Sequence, residues 1–153
     1  MNLDSVKEKL EGLLADKFQE EDYQDCFLVD ISISKSARVQ VFLDCDSGLN
    51  LATCGKLSRY LEKWLDESLV LGEKYILEVS SPGVERPLIK RQYPKNIGRK
   101  IRVKKKDGEV IDGKLEAVSE KGIQVELQLS KKEVKSLDIT FEEINESIII
   151  VSF

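Results

Sequence analysis

Ten lysines and arginines fall within residues 86–106 with no aspartate or glutamate among them: Arg86, Lys90, Arg91, Lys95, Arg99, Lys100, Arg102, Lys104, Lys105 and Lys106. An unneutralised run of this length makes a field that attracts polyphosphate, and Tyr93 within it offers a ring on which a base can stack. The plainer reading of a charge run is a solvated face. No RNP1-like aromatic pattern accompanies it, so the run predicts contact through phosphates and shape rather than base reading. All of these cations except Lys95 are candidate RNA contacts.

Catalytic chemistry finds less support. Ser80 and Ser81 sit at a strand-to-turn junction, but a serine nucleophile needs a positioned proton acceptor, and the chain has no histidine. Lysine serves as the base in rare variants, yet no Ser-x-x-Lys motif is present. Cys54 lies in the apolar stripe of a helix, where a cysteine is ordinarily a small core residue. Cys26, Cys45 and Cys54 are odd in number and widely spaced, with no CxxC pair, so neither a disulfide framework nor a metal is expected. Asp44 and Asp46 at a strand end lack the further oxygen ligands that a cation needs. Gly72-Glu73-Lys74 lacks the rest of a phosphate loop. The expectation is a protein without catalytic residue, metal or cofactor.

The chain of 153 residues is 41% hydrophobic and 34% charged, a composition for globular domains with a real core. Its net charge of −4 argues against a nucleic-acid partner only if it is evenly spread. It is not: residues 1–85 hold 9 basic and 17 acidic side chains, residues 86–153 hold 15 and 11. The acidic first part is expected to face a basic protein or solvent. The N-terminal stretch carries acids throughout, unlike a signal or transit peptide, and the longest aliphatic run is residues 148–151. A cytoplasmic protein, not membrane-bound, is expected.

These side chains need elements to position them. Leu3, Val6, Leu10, Leu13, Leu14 and Phe18 recur at helical spacing. Phe27, Val29, Ile31 and Ile33 alternate with Leu28, Asp30 and Ser32, Val39, Val41 and Leu43 alternate with Gln40, Phe42 and Asp44, and Lys35-Ser36-Ala37 joins the two runs as a hairpin. Asn50 can cap a second helix with Cys54, Leu57, Leu61, Trp64 and Leu65 on its core face, ending before Gly72. Tyr75, Leu77 and Val79 then alternate as a strand. The order α-β-β-α-β predicts a three-stranded sheet with two helices on one face, its last strand free to run parallel to a neighbour. Pro82 fixes φ at the first corner of the following turn, and Gly83 accepts the positive φ that a type II turn requires. Pro87 removes a further donor and biases Arg86 toward extended backbone. Ser80, Ser81, Pro82, Gly83 and Pro87 are therefore read as structural. A helical turn is expected over residues 88–93, ended by Pro94 and Gly98, then strands at 101–104, 110–118, 123–129, 134–139 and 148–153, with a single helical turn near Phe141. Five short strands in this space predict a small closed barrel. The expected division is a domain at 1–87, a linker at 88–95 and a barrel at 96–153, an α+β protein of two domains.

The stretch YILEVSSPGVERPL at 75–88 closely resembles the signature of the bacterial ribosome maturation factor RimP family: a Ser-Ser-Pro-Gly turn, two variable residues, then Arg-Pro-Leu. The order of elements, with Leu57-Ser58-Arg59 in the second helix, is similar throughout. The resemblance implies an SH3-like or Sm-like barrel at the C-terminus. It also implies a non-catalytic monomer that binds the immature small (30S) ribosomal subunit, meeting 16S rRNA and a ribosomal protein near the decoding centre. Where that family commonly places lysines and an arginine before the final strand, this chain reads EEINES at 142–147. The rival expectation is an adaptor whose barrel binds a peptide and whose basic run is solvated surface.

Overall fold

The computed structural model describes residues 2–83 and 86–151. Val84 and Glu85 of the signature, and the last two residues of the strand expected at 148–153, lie outside the described residues. The chain forms two compact units, Met1–Pro82 and Gly83–Phe153.

In the first unit, helix α1 (Leu3–Lys17) starts where the Asn2 side chain accepts hydrogen bonds from the backbone N–H groups of Asp4 and Ser5, at 3.0 and 3.4 Å. Strands β1 (Cys26–Ile33) and β2 (Arg38–Cys45) form the expected hairpin. Helix α2 (Leu51–Ser68) is capped by Asn50, which accepts from the Thr53 N–H at 2.8 Å, and ends at Leu69 in a left-handed conformation. A cap contributes about 1 kcal/mol. Each fully buried leucine contributes about 2 kcal/mol, so Leu57, Leu61 and Leu65, all fully buried, decide where α2 lies. Cys54 and Trp64 flank that stripe and are only half-buried. Strand β3 (Ile76–Ser80) runs parallel to β2, which is the central strand of the order β1-β2-β3. One core joins Val6, Leu10 and Leu14 of α1, the α2 leucines, and Val39, Val41 and Leu43 of β2. The α-β-β-α-β expectation holds, with both helices on one face.

One register expectation does not hold. The pairing of β1 with β2 shifts between Leu28 and Asp30, a β-bulge that gives β1 one extra residue. Ile31 and Ile33 keep the core side as expected, but beyond the bulge Cys26 and Leu28 take it, in place of Phe27 and Val29.

In the second unit, the turn expected over 88–93 is two 3-10 turns, Lys90–Gln92 and Pro94–Asn96. Pro94 opens the second turn instead of ending the first, because its missing N–H costs nothing at a helical start. Buried Gln92 and Asn96 are satisfied locally: Gln92 Oε1 accepts from the Ile89 N–H at 3.0 Å and its carbonyl from Asn96 Nδ2 at 2.7 Å. Leu88 N–H donates to Ser147 O at 2.8 Å, so these residues are tied into the second unit.

Five antiparallel strands follow: β4 (Lys100–Lys105), β5 (Val110–Val118), β6 (Gly122–Gln128), β7 (Val134–Thr140) and β8 (Ile144–Ile149). The last strand starts earlier than expected, directly after a 3-10 turn at Phe141–Glu143: Ile144 pairs with Lys105 and Glu146 with Lys104 of β4, and Asn145 between them is the extra residue of a bulge. The order is β7-β6-β5-β4-β8, a four-strand meander whose fifth strand returns to the first. Ile101, Val103, Ile111, Leu115, Ile123, Val125, Ile139 and Ile149 alternate inward around Tyr93. Gly122 is required by close approach, since a Cβ there would collide with the backbone of Ile139 and Thr140. No helix among the described residues is long and apolar enough to cross a membrane.

Candidate nucleic-acid interface

The strand period sorts the basic run. Along β4, Ile101 and Val103 are fully buried, so Lys100, Arg102 and Lys104 project from the opposite face. Sequence alone leaves them without counter-ions, but the neighbouring strands supply several. Arg102 is held in a bidentate pair with Asp112 of β5, Nε to Oδ1 at 2.8 Å and Nη2 to Oδ2 at 3.0 Å. Lys104 Nζ lies 3.1 Å from Glu146 of β8. Lys105 Nζ lies 3.5 Å from Glu109, 3.5 Å from Glu143 and 3.9 Å from Asp107. Two of these acids, Glu143 and Glu146, belong to the EEINES stretch, so that stretch neutralises cations of the strand beside it.

The electrostatics follow from this pairing. The Arg102 hydrogen bonds, against a smaller opposing effect of burial, hold the Asp112 carboxyl below its ordinary value. Burial opposes the Lys105 charge, but Asp107, Glu109 and Glu143 together keep its ammonium above the ordinary value. Further along the same face Lys114 stands opposite Glu126, whose carboxyl is pushed up, and that of Glu116 down, by the hydrogen bond between them. The face is a mosaic of both signs.

The remaining cations are distributed differently. Lys90 Nζ sits over the Phe141 ring at 5.0 Å, and Arg99 Nη1 donates to Asn96 Oδ1 at 3.4 Å. Among the described residues, Lys90, Arg99, Lys100 and Lys106 have no carboxylate in ion-pair contact. Arg86 is half-buried and Arg91 exposed. Tyr93 cannot stack on a base as expected, because it is 3% exposed, donates its hydroxyl to Ser147 Oγ at 2.8 Å and meets Phe141 edge-on at 5.4 Å.

Gly83 has φ of +74°, the left-handed conformation expected at that turn. Ser80 and Ser81 are exposed, and no basic side chain hydrogen-bonds either among the described residues. Burial pushes the Cys54 thiol up, the opposite of what a nucleophile needs.

Sequence spacing missed one cluster. Cys26 and Cys45 are cross-strand partners with sulfurs 2.6 Å apart, and with Asp25 they form three potential ligands within 4.8 Å of one another. The signal was present only in the hairpin register, not in any local motif.

Residues 14–85 match the RimP N-terminal domain. A ribosome maturation factor RimP from Cytophaga hutchinsonii is 38% identical over 146 residues, covering 84% of this chain and 87% of the relative. One from Flavobacterium psychrophilum is 35% identical, covering 97% of this chain and 99% of the relative. A third, from Christiangramia forsetii, is 39% identical over 100 residues, 65% of this chain and 62% of the relative.

Proposed function

The chain belongs to the RimP family of ribosome maturation factors, and from that premise we propose that it binds the immature small ribosomal subunit and assists its assembly without catalysis. The observation that carries this is similarity over nearly the whole length to a named maturation factor, both units included. In this reading the protein is a cytoplasmic monomer that stabilises one assembly conformer of the subunit by binding it more tightly than its competitors. It meets 16S rRNA and a ribosomal protein near the decoding centre, and it needs no cofactor.

The second unit supplies the RNA contact. Its five strands close as an SH3-like barrel, a reading supported by the meander with a returning fifth strand and by the 3-10 turn placed before that strand. Lys90, Arg99, Lys100 and Lys106 carry most of the phosphate contact, with Arg86 and Arg91 beside them. Arg102, Lys104 and Lys105 contribute less, because each shares its charge with an acid of its own sheet.

Co-sedimentation of the purified protein with free small subunits and with assembled ribosomes tests this. Binding to free subunits alone is expected, with log affinity falling against log salt at a slope of roughly −3 to −4 if about four phosphates are contacted. The double variant Lys100→Glu, Lys106→Glu should flatten that slope by about 2. A folded double variant with the parent's affinity and slope would move the contact to another surface. Absence of binding to any subunit would favour the adaptor reading.

A further inference from the structure

The hairpin of the first unit brings together two thiols that the sequence keeps far apart. Its register is set by the bulge: Ile31 faces Val41 and Asp30 faces Phe42, but past Val29 the frame moves by one, so that Leu28 faces Leu43 and Cys26 faces Cys45. Without the extra residue Cys45 would face Phe27. Asp46 N–H donates to Asp25 O at 2.9 Å, which makes the adjacent Cys26/Cys45 position a non-hydrogen-bonded pair, the kind in which side chains come closest. Such pairs have Cα atoms about 4.5 Å apart, inside the range that a disulfide spans.

The surroundings fix that approach. The Asp25 carboxylate accepts from the Ser47 N–H at 3.2 Å and from the Ser47 hydroxyl, clipping the start of β1 to the turn after β2. Cys26 and Cys45 are 3% and 2% exposed, and their sulfurs lie 2.6 Å apart, well inside ordinary contact of two thiols.

We infer that Cys26 and Cys45 are an oxidisable dithiol, a covalent modification site that closes into a cross-strand disulfide with a low-molecular-weight disulfide as oxidant. The thiolate of one cysteine attacks a sulfur of the small disulfide and expels a thiolate, leaving a mixed disulfide on the protein. The second cysteine, losing its proton, attacks the protein-side sulfur and expels the second small thiol. The protein loses two hydrogens and two electrons, and the small disulfide becomes two thiols that carry both protons. A metal fits the pair less well: two thiolates on one zinc stand about 3.8 Å apart, and Asp25 is already engaged by Ser47. Burial shields the folded pair, so the bond forms as the hairpin assembles, and once formed it locks the open end of the β1–β2 ladder.

The test refolds the full chain from denaturant in a buffer of oxidised and reduced glutathione, then alkylates it in denaturant and reads its mass and peptide map. The expected product links Cys26 to Cys45 and leaves Cys54 alone to be alkylated or glutathionylated. It should melt roughly 5–15 °C above the reduced chain. Cys45→Ala should lose both the link and the difference in melting temperature. Three modifiable thiols after refolding, a link through Cys54, or zinc retained against a chelator with Cys26 and Cys45 protected would each overturn the assignment.

Discussion

The two sheets of this chain make their cores by different means. In the first unit the apolar face of a three-stranded sheet is covered by Leu10 and Leu14 of α1 and by Leu57, Leu61 and Leu65 of α2. In the second, no long helix covers the sheet: inward residues of five strands pack on one another and on Tyr93, which requires close backbone approach at Gly122 and Gly113. The difference also reaches the surface. In the first unit Arg38 of β2 pairs with Glu78 of β3, whereas β4 draws acids from both of its neighbours, Asp112 of β5 at Arg102 and Glu146 of β8 at Lys104. A charge run read along the chain overstates the charge on such a strand.

Helix burial makes the first unit most sensitive to cavities. Leu61→Ala should cost about 2–5 kcal/mol, measured by urea unfolding followed through Trp64, the chain's one tryptophan. A loss below about 1 kcal/mol would mean that α2 relaxes into the gap and is not a rigid cover.

The second unit should instead be most sensitive to added volume at its close backbone contacts. Gly122→Ala is expected to cost about 1–3 kcal/mol, seen as a lower melting temperature by circular dichroism. An unchanged melt would show that β6 and β7 are not held as closely as their pairing indicates.

A third measurement concerns the shared charges. Asp112→Asn removes the acid facing Arg102 and should steepen the salt dependence of subunit binding by about one unit of slope, with little loss of stability. The pH dependence has a definite sign. Asp112 has a lowered folded-state value, so its pairing favours the fold above its ordinary pKa and that contribution is lost as pH falls through the lowered value. Arg102 is therefore released for phosphate in acid, and the parent should approach the behaviour of the variant there. A parent and variant with the same slope at neutral pH would show that Arg102 makes no phosphate contact.

The smallest effect is expected at the signature turn. Ser81→Ala should change stability by no more than about 0.5 kcal/mol and leave subunit binding intact. Lost binding in a folded variant would return that serine to consideration as a functional group.

Most elements were legible because their periods are long and their caps explicit. The stripe of α1, Asn50 at the start of α2, the parallel β3 and the full extent of β5 all follow from spacing and cap chemistry. The errors have identifiable causes. Phe27 was placed with the helix-covered residues because alternation assumes no bulge, and Val29 conceals one; Phe27 is buried all the same, but outside that cluster. β8 was started late because Asn145 and Glu146 are polar, yet a strand with one outward face accepts them. The basic run was legible as composition, but its ion pairs depend on register: Asp112 and Glu146 flank β4 only after five strands are ordered. The cysteine pair was hidden for the same reason, since the bulge that turns Phe27 from the helix-covered face also aligns Cys26 with Cys45.

The crossover order of strands has a consequence for synthesis. β2 pairs with β1 through a short turn, but its other edge pairs with β3, which arrives only after the whole of α2. β4 likewise meets β5 early and β8 last. During elongation each unit therefore carries an open row of unpaired backbone donors and acceptors until its final strand emerges. Chains that stall before Ile76–Ser80 or before Ile144–Ile149 keep that edge exposed, so translation speed through α2 and through β5 to β7 sets how long each nascent sheet can pair with the wrong strand.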